Sequence, residues 1–270
     1  MSDRLGTWTR TLNEEDAIAL LVETRPGQTL AAWAEQGHQS LPQAGRARRL
    51  ETLRMVRASL LDLELDGARI AGSTWLRLFQ DGSPARRLNL LYGRFHARRE
   101  WIHRAVNELI LPQLAGADQP LAPRDADRIT DEAWADFFER NLVENPPPAG
   151  AKKTRSLVRS SLADLGVLVL GRSDDEAPQP RRPASAPREA RALHAEPDPL
   201  AFGWLIAHEL RTDKRPEAPL SWAVTASIAA RLFATRRIYA EHCVEVAVGA
   251  GLLVRGYLAG MPRLHPPEER

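Results

Sequence analysis

Hydrophobic residues recur at helical spacing along most of this chain, most clearly in KKTRSLVRSSLADLGVLVLGR, from Lys152 to Arg172. At roughly 100° per residue, Thr154, Leu157, Val158, Ser161, Leu162 and Leu165 share one face of a helix. Lys152, Lys153, Ser156, Arg159 and Ala163 fall on the other side, which is therefore small and cationic. Gly166 is placed to take the left-handed conformation just past a helix end. Val167 to Leu170 follow as a continuous apolar run short enough for a strand, and the chain leaves it on Arg172. Helix, tight stop, strand and returning arginine is the order expected of a winged helix. The same pattern also suits an amphipathic helix packed beside an ordinary hairpin.

Elsewhere the pattern predicts more helices. Thr11 with Glu14 resembles a capping box opening a helix over Asn13 to Val22. A second helix is expected over Thr29 to Glu35. A longer one is expected over Gly45 to Leu65, carried by Leu50, Leu53, Val56 and Leu60. Asp66-Gly67 marks a turn, Ser73 a cap, and Ser83-Pro84 a cap followed by proline at the first helical position. From there two helices are predicted to meet near Gly93 to Ala97, and Thr130 opens another, DEAWADFFERNL. Prolines 178, 180, 183, 187 and 197 with few large apolar side chains make Ser173 to Pro197 a linker or long excursion. Beyond it, DPLAFGWLIAHELR, SWAVTASIAARLFAT and RIYAEHCVEVAVGAG read as helices, LLV as a strand and RGYLAGMPRL as a hairpin.

The expected fold is mainly α, multi-helical, with winged-helix-like elements and short β-hairpins. An N-terminal helical module over 1–172 would end in the winged-helix-like unit, with the Pro-rich segment at 173–197 and a C-terminal helical module over 198–270. LADLGVLVLGR and AVGAGLLVRGY both run helix, glycine, apolar strand, arginine. Two winged-helix-like units would explain that echo, but chance is the stronger explanation, since helices ended by glycine before a strand are common.

At 270 residues, 43% hydrophobic and 27% charged, the chain has a globular composition and length for a substantial core. The formal net charge is only +2, and the cations are almost all arginine, with lysine at 152, 153 and 214. Arginine offers a planar fork of donors suited to phosphate or guanine, and a modest net charge still permits local basic patches. Cys243 is the single cysteine, which excludes an internal disulfide and a Cys-based zinc site and fits a reducing cytoplasm. No signal-peptide pattern opens the chain, and Val246 to Val254 is too short to span a bilayer, so no membrane association is expected.

Catalytic motifs are absent: no GxxxxGK[ST], GxGxxG or GxSxG appears, and His208 begins HELRT rather than HExxH. His96, Glu100 and His103 would share a face of an unbroken helix, which makes a metal-dependent enzyme one rival reading. A solvated polar face is the better one. Asp62, Glu64 and Asp66 read as a solvated turn, and His242 beside Cys243 as structure. Neither catalytic residues, cofactor nor metal is expected. The positive signal is basic: RARRLETLRMVR supplies Arg46, Arg48, Arg49, Arg54 and Arg57, and SPARRLNLLYGRFHARRE supplies Arg86, Arg87, Arg94, Arg98 and Arg99.

The run RREWIHRAVNELILPQLAG, then TDEAWADFFERN, then TRSLVRSSLADLGVL, resembles the BrxA family, small accessory proteins of BREX phage-exclusion systems. The resemblance covers roughly 85–172 and, more loosely, the helical C-terminus. It implies a cytoplasmic, mainly helical, non-enzymatic DNA-binding protein that works beside larger BREX subunits, including a methyltransferase and ATPases. Carried onto this chain it points to Lys152, Lys153, Arg155 and Arg159.

The expected partner is double-stranded DNA. The expected contacts are Lys152, Lys153, Arg155, Ser156, Arg159 and Arg172, joined by Arg46, Arg48, Arg49, Arg86, Arg87, Arg98 and Arg99. The alternative is a protein-interaction scaffold of the same kind of complex.

Overall fold

The computed structural model describes residues 14–42, 45–61, 65–114, 128–142, 148–165, 168–171, 189–192, 196–233 and 235–267. In the N-terminal stretch, α1 (Glu14–Val22) leads to α2 (Leu30–Ser40), capped by Thr29, whose hydroxyl accepts from the Ala32 amide at 3.2 Å. α3 (Arg46–Val56) continues into a π-helical turn over Arg57–Leu61, so the long helix expected to reach Leu65 ends short. A tight hairpin follows, β1 (Leu65–Asp66) and β2 (Arg69–Ile70), turning through Gly67 at φ 60°. β2 also pairs backwards: Thr29 bridges Arg69, and the Ile70 amide donates to the Gln28 carbonyl at 2.9 Å. α4 (Thr74–Gln80) and α5 (Pro84–Arg98) begin at the expected caps, with the Ser73 and Ser83 hydroxyls accepting from the Leu76 and Arg86 amides.

The middle stretch opens with α6 (Glu100–Arg104), a π-helical segment over Ala105–Ile110, and α7 (Leu111–Leu114). β3 (Arg128–Ile129) feeds α8 (Asp131–Asn141), where the Thr130 hydroxyl accepts from the Ala133 amide at 3.1 Å. α9 (Pro148–Asp164) is followed by β4 (Leu168–Gly171) and β5 (Glu189–Ala192). Thr154, Val158, Ser161, Leu162 and Leu165 are all buried, as the periodicity of that helix requires. They share a core with Trp101, Trp134, Phe137 and Phe138, whose rings meet edge-on, tilted or offset at centroid separations of 5.2 to 6.3 Å. The expected linker is partly a strand, because Glu189–Ala192 pairs along the whole of β4; residues 173–188 and the glycine cap at 166 lie outside the described residues.

In the C-terminal stretch come α10 (Pro199–Thr212), β6 (Ala218–Pro219), α11 (Leu220–Thr225), α12 (Ile228–Leu232), α13 (Arg237–Gly249), β7 (Val254–Leu258) and β8 (Met261–His265). The single helix expected over Ser221 to Thr235 is split by buried Ser227. Its hydroxyl donates to the Ala223 carbonyl and accepts from the Ala230 amide, ending one helix and capping the next.

The two complete sheets have the same order, β3-β5-β4 and β6-β8-β7, antiparallel throughout. The first strand pairs with the last in both, around a helix, strand, helix, helix, hairpin sequence in the middle stretch; in the C-terminal one α11 and α12 together stand where α8 does, and α13 stands where α9 does. That is winged-helix topology, and the echo between the two segments reflects it. The N-terminal stretch repeats it in reduced form, with Thr29, β2 and β1 in the equivalent order after α1 and around α2 and α3. A further echo accompanies the repeat: Trp33, Trp134 and Trp222 each stand four residues after Thr29, Thr130 and Ala218, and each precedes an alanine.

The described residues of 99–194 form one compact unit, and those of 12–98 and 195–270 form another. This division is nested, unlike one drawn at 172 and 198. Within the second unit α5 lies on α10 at Gly93, where a Cβ would sit 2.4 Å from the Leu205 side chain. Arg86 and Asn89 on α5 bind Asp198, the cap of α10, and Arg94 lies over the rings of Trp75 and Trp204 at 4.7 and 5.2 Å.

Candidate nucleic-acid interface

α9 holds the position of a recognition helix in the middle winged helix. Along Pro148–Asp164 the only acidic residue is the last, Asp164. Lys152, Lys153 and Ser156 are exposed, and Arg155 is half-buried beside them. Arg159 stands apart from this set. Its Nη1 donates to Asp131 Oδ1 at 2.7 Å, and its guanidinium lies 5.6 Å from the centre of the Trp134 ring. The side chain is 12% exposed. Arg159 therefore ties α9 to α8 and holds Lys152 and Ser156 outward. It is a positioning residue rather than the free phosphate contact the helical wheel suggested, because the wheel cannot see the acid and ring contributed by α8.

The other expected cations separate in the same way. Arg46 and Arg48 are exposed on α3, and Arg49 is half-buried. Arg86 is bound to Asp198 at 2.9 Å. Arg87 donates to the carbonyls of Phe79 and Gln80 at 3.0 and 2.8 Å, satisfying the end of α4. Arg99 is half-buried, and desolvation pulls its guanidinium below its usual value. The side chain of Arg98 and all of Arg172 lie outside the described residues.

The chain is extended at Arg99 (φ −113°, ψ 100°), so His96 ends up on α5 and Glu100 and His103 on α6, not on one helical face. Among the described residues no group of three or more His, Cys, Asp or Glu side chains is placed to hold a metal ion. Asp66 is exposed on β1, while Asp62 and Glu64 lie outside the described residues. His242 is exposed, whereas Cys243 is buried and its thiol is pushed up to about 12, first by desolvation and then by Asp198 and Glu196.

The equivalent surface of the C-terminal winged helix differs. α13 turns Arg237, Ile238, His242 and Glu245 outward, with Glu241 half-buried. Arg237 pairs with Glu241, and Arg255 of β7 with Glu245. Ile238 is 84% exposed, and around the hairpin turn Tyr257, Leu258 and Met261 are 71%, 56% and 69% exposed. Ala259 and Gly260 form that turn at φ 49° and 78°, the paired left-handed geometry of a two-residue hairpin loop. The sequence reading did not single out this apolar tip. The signal was present in RGYLAGM, where apolar residues flank a turn instead of facing a core.

No family model matches the sequence, and no characterised protein matches it. The fold is similar to that of a crystal structure titled magnesium ion-bound SspB, with a TM-score of 0.51 and 14% identity over 96% of this chain and 84% of that one. The likeness is one of fold. Among the described residues no helix is long and apolar enough to cross a membrane.

Proposed function

We propose that this protein binds duplex DNA through the middle winged helix, with α9 facing the phosphate backbone. The observation that carries the proposal is the outward face of α9. Lys152, Lys153 and Ser156 are exposed on the third helix of a winged-helix topology, and the helix has no acid before Asp164. Small and cationic side chains let a helix approach phosphates closely, and such contacts position a protein on DNA without reading sequence. The role is one of binding rather than catalysis. The resemblance to the BrxA family supports an accessory place in a BREX-type phage-defence system, inside the cell beside larger subunits.

The test is retention of a random-sequence labelled duplex at two salt concentrations, with wild type and Lys152→Glu/Lys153→Glu. Expected is binding that falls steeply with salt, because counterions are released from each neutralised phosphate, and that the double variant weakens. Affinity that stays flat from low to physiological salt overturns the proposal.

A second reading, a protein-docking scaffold, is favoured by a separate observation. Ile238, Tyr257, Leu258 and Met261 leave large apolar side chains in water on the C-terminal module. Co-purification of partner subunits by the wild type, and its loss on Leu258→Asp/Met261→Asp, would support that reading alongside DNA binding.

A further inference from the structure

We infer that residues 14–70 form a second DNA-binding winged helix, with α3 as its duplex-facing helix. This inference rests on reading α9 as a DNA-facing helix and extends that reading to a site with its own residues. Two independent observations meet at α3. The first is topological. α1, the Gln28–Thr29 stretch, α2, α3 and the β1–β2 hairpin follow the same order as the middle module, with Thr29 paired to Arg69 and the Ile70 amide bonded to Gln28. Thr29 caps α2 as Thr130 caps α8, and Trp33 and Trp134 are buried at the same distance beyond the two threonines. α3 is therefore the third helix of its module, as α9 is.

The second observation is chemical. Leu53, Val56 and Leu60 are buried and define the core side of this segment. Arg46, Leu50, Arg54 and Arg57 follow one another at three- and four-residue spacing along an exposed flank, and Arg48 is exposed farther round the helix. The one acid on α3, Glu51, is half-buried and already engaged by a neighbour. Arg57 already has a partner, and the planar guanidinium groups of Arg46, Arg48 and Arg54 match phosphate oxygens, each able to give parallel charge-assisted hydrogen bonds.

An arginine-rich composition alone would decorate all three third helices alike. It does not, because α13 carries the exposed Glu245 and the half-buried Glu241, offset by Arg255 and Arg237. The basic face is thus a property of α3 and α9 and not of the repeat. The hairpin after α3 is only two residues per strand, and its Arg69 donates to the Gly27 carbonyl at 2.8 Å. DNA contact in this module therefore falls to the helix rather than to a wing.

The experiment measures duplex affinity of the full chain against salt for five proteins: wild type, Lys152→Glu/Lys153→Glu, Arg46→Glu/Arg48→Glu/Arg54→Glu, the combination of the two, and Arg46→Lys/Arg48→Lys/Arg54→Lys. Expected is that the α3 triple variant weakens binding at least tenfold and lowers the slope of log affinity against log salt by about 2 to 3, since each lost phosphate contact removes about 0.9. The combined variant should lose measurable binding. Arg46→Lys/Arg48→Lys/Arg54→Lys keeps the charge and should retain most of the affinity, which separates charge loss from misfolding. Unchanged affinity and slope in the folded α3 variant overturn this inference. An unchanged Lys152→Glu/Lys153→Glu variant would instead overturn the role of α9 and leave α3 standing as the DNA-binding helix.

Discussion

The middle and C-terminal winged helices share a topology and a sheet order, yet their third helices present opposite surfaces. α9 shows lysines and a serine, with its one deep arginine drawn back onto Asp131 and Trp134. α13 shows a balanced set of ion pairs and an exposed isoleucine beside an apolar hairpin tip. The lesson is that the scaffold decides only which residues face outward. The residue types at those positions decide whether the face suits a polyanion or a protein surface.

The largest test of the contrast is Trp134→Ala. It removes a fully buried indole from the aromatic core of the middle module and the ring under Arg159, and should cost about 3 to 5 kcal/mol. Denaturant unfolding followed by circular dichroism gives the loss. Duplex binding should fail with it, because α9 loses its anchor. If the variant unfolds early yet the folded fraction binds DNA as tightly as wild type, α9 is not the contact.

Next is Gly203→Ala in the C-terminal module. A Cβ there would stand 2.1 Å from the Cβ of Ala247, so α10 and α13 would be forced apart at that contact. Overpacking of that kind costs about 1 to 3 kcal/mol. The melting temperature should drop while DNA affinity measured below the transition stays within about twofold of wild type, a change below roughly 0.4 kcal/mol. A large loss of affinity would mean that the C-terminal face contributes to DNA binding after all.

A smaller effect concerns Glu209 of α10, which accepts the Ile228 amide at 2.6 Å at the start of α12. Desolvation is the main cause that raises its carboxyl above the usual value, with Asp213 adding and the Ile228 amide opposing. The folded state therefore holds the proton more tightly than the unfolded one. That contribution is fully present below the unfolded value and is lost as pH rises through the raised one. The melting temperature of wild type relative to Glu209→Gln should decline as pH rises above the ordinary glutamate value of about 4. A constant difference would show that the carboxyl is not perturbed.

Smallest of all is the expectation for Arg237→Ala/Glu241→Ala on α13. An exposed i,i+4 pair contributes only about 0.3 to 0.5 kcal/mol, so stability should barely move and DNA affinity should stay the same. A drop in affinity would erase the contrast between the two helices.

Much of this molecule was legible in its residues. The caps at Ser73, Ser83 and Thr130 and the buried stripe of α9 depend on neighbours a few positions away, and they form where local chemistry places them. The pairing of β5 with both β3 and β4 was not legible, since Glu189–Ala192 alternates its charges only with alanines, too small to mark a buried face, and sits in a Pro-rich stretch. Nor was the third, N-terminal repeat, whose strands are one or two residues long and leave no periodicity to read.

For the candidate site, sequence alone determined that α9 would be amphipathic, with a cationic outer face, because side-chain direction on a helix follows from spacing. Only tertiary structure decided which cations are free to meet a ligand. Arg86, Arg87 and Arg159 are consumed by Asp198, by the carbonyls ending α4 and by Asp131 with Trp134, while Lys152, Lys153, Arg46 and Arg48 are left in water. The physical reason is that an arginine's partner is chosen by which acid, carbonyl or ring the fold brings within about 3 Å for a hydrogen bond or 6 Å for a ring. For Arg87 those carbonyls lie only 8 and 7 residues back in the chain, whereas Asp131 and Asp198 stand 28 and 112 residues from Arg159 and Arg86.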